Sequence, residues 1–148
     1  MSDKIIVDWD LEEQRIEAEY KQKLEELKQK KKESQLVGNI LAKGVLPVLV
    51  MHVVGNSPSN GNEISNIIGE ITNGKWIPST GGIYPILKKM EKSGYMASSW
   101  DDPEKRIKKT YSITQKGIEE LQTQRKLLAD SVQQTVDILE GILKDIKK

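Results

Sequence analysis

From Ile118 to the C-terminus the apolar residues keep a three-four rhythm that few folds can absorb. Ile118, Leu121, Leu128, Val132, Leu139, Ile142 and Ile146 fall on one line of a helix, interrupted only by Arg125 and Thr135. This is a heptad seam. A helix from Gln115 to the end would be about 33 residues and about 50 Å long. Apolar residues make up only 36 % of the chain and charged ones 30 %. The rest of the sequence therefore lacks the material for a core that covers such a helix along its whole length. The seam needs a partner. A second copy of the chain is the expected one, and the N-terminal helix of the same chain is the alternative.

That N-terminal helix is expected over residues 11–35, which hold no Gly or Pro. Glu17–Lys21, Glu19–Lys23 and Glu26–Lys30 are four apart with the acid first, the favourable order on a helix surface. The apolar stripe of Ile16, Tyr20, Leu24 and Leu27 is thin, so the helix should lie against another one, with Trp9 as an anchor. Lys30, Lys31 and Lys32 read first as a solvated face, with a phosphate contact as the alternative. The chain thus divides into a charged helical extension (1–37), a compact middle domain (38–117) and a C-terminal dimerisation helix (118–148).

The middle reads as three helices and a hairpin. Residues 40–54 form a buried helix that Pro47 pushes to begin near Gly44. Residues 55–59, Gly-Asn-Ser-Pro-Ser, are a loop. Residues 62–72 form an amphipathic helix on Ile64, Ile67, Ile68 and Ile71, ended by Asn73 and a left-handed Gly74. In a third helix, 83–93, Ile83, Ile86, Leu87 and Met90 share a face. With Gly82 as its N-cap, Pro85 falls at the third position, where a missing N–H costs nothing. Gly94 closes it. Residues 95–100 and 106–113 are strands around the turn 101–104. The second alternates, with Ile107, Lys109, Tyr111 and Ile113 on one side. Thr114 is a good N-cap for the last helix. Trp76 is expected in the core beneath the third helix, and Trp100 is expected to close the hairpin onto the body. The fold class is mainly α with a small β-hairpin: a winged helix-turn-helix with long N- and C-terminal helices.

The inventory argues against catalysis. There is no Cys and only one His, so disulfides, thiolate sites, a thiol nucleophile and a multi-histidine zinc site are out of reach. His52 lies in an apolar helix and reads as a hydrogen-bonded core histidine. Asp101, Asp102 and Glu104 cluster on an exposed turn with no pocket to tune them. No phosphate-loop or dinucleotide-type glycine pattern occurs. Catalytic residues, metals and cofactors are therefore not expected. The longest apolar run, 45–54, is too short to span a bilayer, and no signal peptide is evident at the N-terminus. A cytoplasmic protein without a membrane partner is expected.

The net charge of +1 hides a basic segment: nine basic residues face four acidic ones between Lys75 and Gly117. A local patch of this kind is what phosphate binding needs. In a winged helix the third helix can enter a major groove of double-stranded DNA with its N-terminal end towards the bases. Ser79, Thr80, Gly81, Gly82 and Tyr84 lie at that end. Free N–H groups and the positive end of the helix dipole face phosphate there, and two glycines let the backbone approach closely. Lys88 and Lys89 add charge along the helix, whereas Lys92 reads as solvated. The wing carries Lys105, Arg106, Lys108 and Lys109, suited to phosphates or an adjacent minor groove.

Particular residues go further. Trp76-Ile77-Pro78-Ser79, then Gly82-Ile83-Tyr84-Pro85-Ile86-Leu87, Met90-Glu91 and Gly94-Tyr95 resemble the PadR family of bacterial transcriptional regulators. So do Arg106 to Lys109, Tyr111-Ser112-Ile113-Thr114 and Gly117. The resemblance covers roughly residues 44–121. It implies a dimeric, ligand-responsive repressor whose C-terminal helices mediate dimerisation. It carries recognition-helix and wing roles onto Ser79, Gly82, Tyr84, Pro85, Lys88 and Lys108. Some members of the family sense small aromatic compounds near the dimer interface. Trp9, Tyr20 and Trp76 are the aromatic residues that could wall such an effector, though each reads first as packing. Two departures stand out. Gly61-Asn62-Glu63-Ile64 lacks the Tyr that the family often has after the Gly, and the N-terminal segment is longer than in many members. The competing reading is a winged helix that serves only as a protein-interaction module. Such an adaptor would expose apolar residues at the end of the third helix, where this chain has polar and basic ones.

Overall fold

The computed structural model describes residues 6–148, and of residues 33–40 the backbone path alone. The described elements are α1 (Trp9–Ala42), α2 (Leu46–Asn56), α3 (Gly61–Ile71), α4 (Thr80–Lys92), β1 (Met96–Trp100), β2 (Lys109–Ile113) and α5 (Gln115–Ile146). They fall into two compact units, Met1–Val37 and Gly38–Lys148.

The first unit carries most of α1. The helix starts two residues earlier than the charge pattern suggests, because the Asp8 carboxylate accepts the Leu11 N–H at 3.1 Å. Arg15 is paired with Glu12 and Glu19. Trp9 is 75 % and Tyr20 68 % exposed within the chain. Gly38 and Asn39 do not end the helix, which continues to Ala42. A lone glycine costs a helix only about 1 kcal/mol, too little to stop a long one. The side chain of Ile40 lies outside the described residues.

In the second unit the expected break falls at residues 43–45, where the Val45 N–H still reaches the Leu41 carbonyl at 3.0 Å. Pro47 sits in the first two positions of α2. That helix runs on to Asn56, so Gly55 and Asn56 belong to it and not to the loop. The next helix, α3, begins at Gly61 under a reciprocal cap. Asn60 Oδ1 accepts the Glu63 N–H at 2.9 Å, and the Asn60 amide donates to the Glu63 carboxylate at 2.5 Å. Asn73 at φ +54, followed by Gly74 at φ +76, ends α3 in the left-handed region, and Gly94 at φ +83 ends α4. Gly74 N–H reaches back to Gly69 at 2.7 Å and Tyr95 N–H to Met90 at 2.9 Å, the closure typical of helices that end in a left-handed Gly or Asn.

The core gathers Val50 and Val54 of α2, Ile64 and Ile68 of α3, Ile83 and Leu87 of α4, with Trp76, Met96, Tyr111 and Leu121 around them. Ile64, Ile68, Ile83 and Leu87 are all fully buried. At about 1.5–3 kcal/mol each, their packing fixes α4 against α3. Trp76, 5 % exposed, is in the core as expected.

The hairpin pairs β1 with β2 antiparallel, Met96 opposite Ile113 and Trp100 opposite Lys109. Ser59 adds a short third rung: it exchanges both backbone hydrogen bonds with Tyr111, at 3.0 and 2.9 Å. β2 is shorter than the alternation predicts. It begins at Lys109, because Arg106 takes φ +49 and residues 101–108 form a separate loop. Ile107 is consequently 75 % exposed and not part of the inward row. Trp100 is 39 % exposed and does not close the hairpin onto the body.

Candidate nucleic-acid interface

The strap before α4 is tied down on both sides. The Ser65 hydroxyl donates to the Pro78 carbonyl at 2.6 Å, and the Trp76 N–H donates to Thr72 Oγ1 at 3.1 Å. The N-cap that follows is Ser79, not Gly82. Its Oγ accepts the Gly82 N–H at 3.3 Å, and its carbonyl takes the Ile83 N–H at 3.2 Å. Thr80, Gly81 and Gly82 therefore make the first turn, and Pro85 lies inside the helix. A proline there leaves the Gly81 carbonyl without its helical partner. Gly81 is exposed, so water reaches that carbonyl and the cost is small.

The resulting helix is sharply two-sided. Ile83 and Leu87 point inward, fully buried. Ser79, Gly81, Gly82, Pro85, Lys88 and Lys89 face solvent, and Thr80 is half-buried. Tyr84, 40 % exposed, leans on the start of α3. A Cβ at Gly61 would lie 2.8 Å from the Tyr84 Cζ. Gly61 is thus a close-approach glycine, a role its place in Gly61-Asn62-Glu63-Ile64 does not reveal. Behind Tyr84, burial pushes the Tyr111 hydroxyl pKa up, with the Glu91 carboxylate and the Tyr84 phenol adding to the shift.

The basic wing residues separate into two groups. Lys105, Arg106 and Lys108 are exposed on the loop. Lys109 is half-buried, and its ammonium lies over the rings of Trp100 at 5.5 Å and Tyr111 at 5.8 Å. It is held against the hairpin's aromatic face.

The heptad residues also divide. Leu121 is 3 % exposed and lies against Gly55, where a Cβ would meet its Cδ2 at 2.8 Å. It belongs to the chain's own core, because the first turns of α5 pack on α2. Leu128 is half-buried. Ile118, Val132, Leu139, Ile142 and Ile146 are 39 %, 39 %, 53 %, 50 % and 74 % exposed. An apolar groove of about 440 Å³ runs between Val45 and Val48 on one side and Leu127, Leu128, Val132 and Leu139 on the other. Near it the Arg125 Nε–H donates to His52 Nδ1 at 3.0 Å. Burial, and then the Arg125 charge, hold the His52 pKa below its ordinary value. Among the described residues no cluster of His, Asp and Glu is placed to hold a metal ion. None of the described helices is long and apolar enough to cross a membrane.

A helix pair with a buried joint, followed by a two-stranded wing and a long helix, defines a winged helix-turn-helix of the DNA-binding type. Residues 50–123 match the model of the transcriptional regulator PadR-like family. Among solved structures, a PadR-like transcriptional regulator from Bacillus cereus is 25 % identical, over 67 % of this chain and 95 % of that one, with a TM-score of 0.54. A Streptococcus mutans protein is 29 % identical over 66 % and 88 %, with a TM-score of 0.53. A Thermoplasma acidophilum protein is 27 % identical over 69 % and 96 %, with a TM-score of 0.56. Among curated proteins none matches the chain. The chain belongs to the PadR-like family of transcriptional regulators, which are non-enzymatic DNA-binding proteins.

Proposed function

We propose that this regulator binds a specific operator as a homodimer and represses transcription, with a small effector controlling its affinity for DNA. One observation carries the DNA contact: the inner face of α4 is locked by fully buried Ile83 and Leu87, while its N-terminal end is polar, capped and open. The Thr80 and Gly81 N–H groups have no intrahelical carbonyl within reach and suit a phosphate or a base edge. Ser79, Gly82 and Tyr84 border the same end, with Pro85 one residue on. Lys88 and Lys89 supply charge along the groove, and Lys105, Arg106 and Lys108 reach the flanking backbone. Lys109 contributes to the local field from its aromatic seat.

In this reading residues 38–117 bind DNA, 118–148 pair two protomers and 1–37 extend the pairing. The exposed row Val132, Leu139, Ile142 and Ile146 supports pairing, since apolar surface of that length on a helix is costly to leave in water. The groove between α2 and α5 offers an apolar site for a small aromatic effector. Such a ligand acts by binding one dimer geometry more tightly than the other. The setting for this work is the cytoplasm, where the DNA is.

Fluorescence anisotropy on a random-sequence duplex and on DNA flanking the protein's own gene, each at two salt concentrations, tests the proposal. Tighter binding to the flanking DNA that persists at higher salt is the expected result. No salt-dependent binding to either duplex would contradict it and favour the protein-interaction reading.

A further inference from the structure

We infer that Ile107 is an apolar wedge for the DNA minor groove, and that it gives the wing a preference for A·T over G·C flanks. The inference rests on the DNA-binding reading above and adds a residue that reads sequence where the cations around it only hold phosphate. Ile107 stands 75 % exposed between Arg106 and Lys108, two residues beyond Lys105. It packs into no core. The loop that displays it is built to hold its shape. The Asp102 carboxylate accepts the Glu104 N–H at 3.0 Å and the Lys105 N–H at 3.3 Å. The Arg106 N–H closes on the Asp102 carbonyl at 2.8 Å. At the neck, the Asp101 N–H donates to the Lys108 carbonyl at 2.9 Å, and the Thr110 hydroxyl donates to the Asp101 carboxylate at 2.6 Å. The Asp101 and Asp102 carboxylates are thus occupied within the loop, and the three cations around Ile107, like the Glu104 carboxylate, are exposed.

This charge pattern selects the occupant. An aliphatic side chain with exposed cations on either side of it in the chain fits poorly in a protein interface, whose centre is depleted of charge. It fits the minor groove, where phosphates line both rims and sugar C–H groups form the walls. An A·T floor offers room for a branched aliphatic group. The guanine 2-amino group projects into the same space and blocks it. Because the loop is already ordered, little entropy is lost on insertion.

The test uses the full chain with three short duplexes, of A·T, G·C and inosine·cytosine pairs. Inosine·cytosine matches G·C in the major groove and lacks only the 2-amino group in the minor groove. The wild-type protein should bind the A·T and inosine·cytosine duplexes about five- to tenfold more tightly than G·C. Ile107→Ala should bring the three within about twofold, with an unchanged salt slope because no phosphate contact is lost. Ile107→Lys should steepen the slope by about 0.9 and still abolish the preference for inosine·cytosine. An Ile107→Ala protein that keeps the preference, or a wild type that never had one, overturns the wedge while leaving DNA binding intact. Failure of the wild type to bind any duplex removes the DNA-binding reading itself, and the wedge with it.

Discussion

The Thr114 side chain ties three pieces of the winged domain together. Its hydroxyl donates to the Gly94 carbonyl at 2.6 Å and accepts the Gly117 N–H at 3.1 Å, while its own N–H reaches Tyr95 at 3.0 Å. The same junction explains Gly117: a Cβ there would lie 2.1 Å from the Tyr95 carbonyl oxygen. The obstacle is backbone and has nowhere to go. Gly117→Ala should therefore destabilise the fold by about 2–3 kcal/mol, read from the denaturant midpoint. A midpoint like that of the wild type would mean that the α4–α5 junction is looser than described. On the wing, Lys108→Ala should weaken binding to all DNA sequences alike and lower the salt slope by about 1. A slope that does not move would take Lys108 off the list of phosphate contacts. The spacing of Thr114 and Gly117 was legible as a motif, but the carbonyl that makes Gly117 necessary is brought there by Tyr95, far from it in the chain.

At the scale of elements, α4 shows why a cap can be misplaced. Gly81, Gly82 and Pro85 are poor helix formers, so the sequence alone favours a start at Gly82. The Ser79 cap and the burial of Ile83 and Leu87 outweigh that preference and move the start three residues earlier. The first turn is then the DNA-facing end. Ser79→Ala should cost about 1 kcal/mol and weaken DNA binding, without changing the oligomeric state. In the wing, too, local pattern and structure differ. Alternation through residues 106–113 predicts a strand, but the Asp102 turn and the left-handed Arg106 shorten it and free the basic residues onto a loop. Between α2 and α5, the His52–Arg125 contact has a pH signature. The folded-state pKa of His52 is depressed, so the unfolded chain takes up the proton first as pH falls. The stability that depends on neutral His52 is complete above about pH 6.5 and is lost as pH falls through the depressed value. His52→Gln, which keeps an acceptor for Arg125, should flatten that part of the melting-temperature profile. An identical profile would mean that the contact does not sense pH.

For the whole molecule, the three-four rhythm announced a long helix in search of a partner but left open which turns the domain itself covers. The structure answers that for Leu121, spent in the chain's own core, and leaves the far half of α5 in water. Pairing through this half predicts that Leu139→Glu, at a residue 53 % exposed, yields a folded monomer in sedimentation. A dimer that survives the change would move the interface elsewhere. The winged helix and the direction of its recognition helix were readable because apolar spacing, glycine stops and the basic segment all agree. The exposed aromatics of the first unit were not, since a thin stripe does not say what it packs on. The central claim is that the N-terminal end of α4 and the wing loop form the DNA face. Amide chemical-shift mapping of the full chain titrated with an operator duplex tests it most directly. Perturbations centred on residues 79–84 and 105–108 are the predicted result. Perturbations confined to α1 or the far half of α5, with α4 silent, would contradict it.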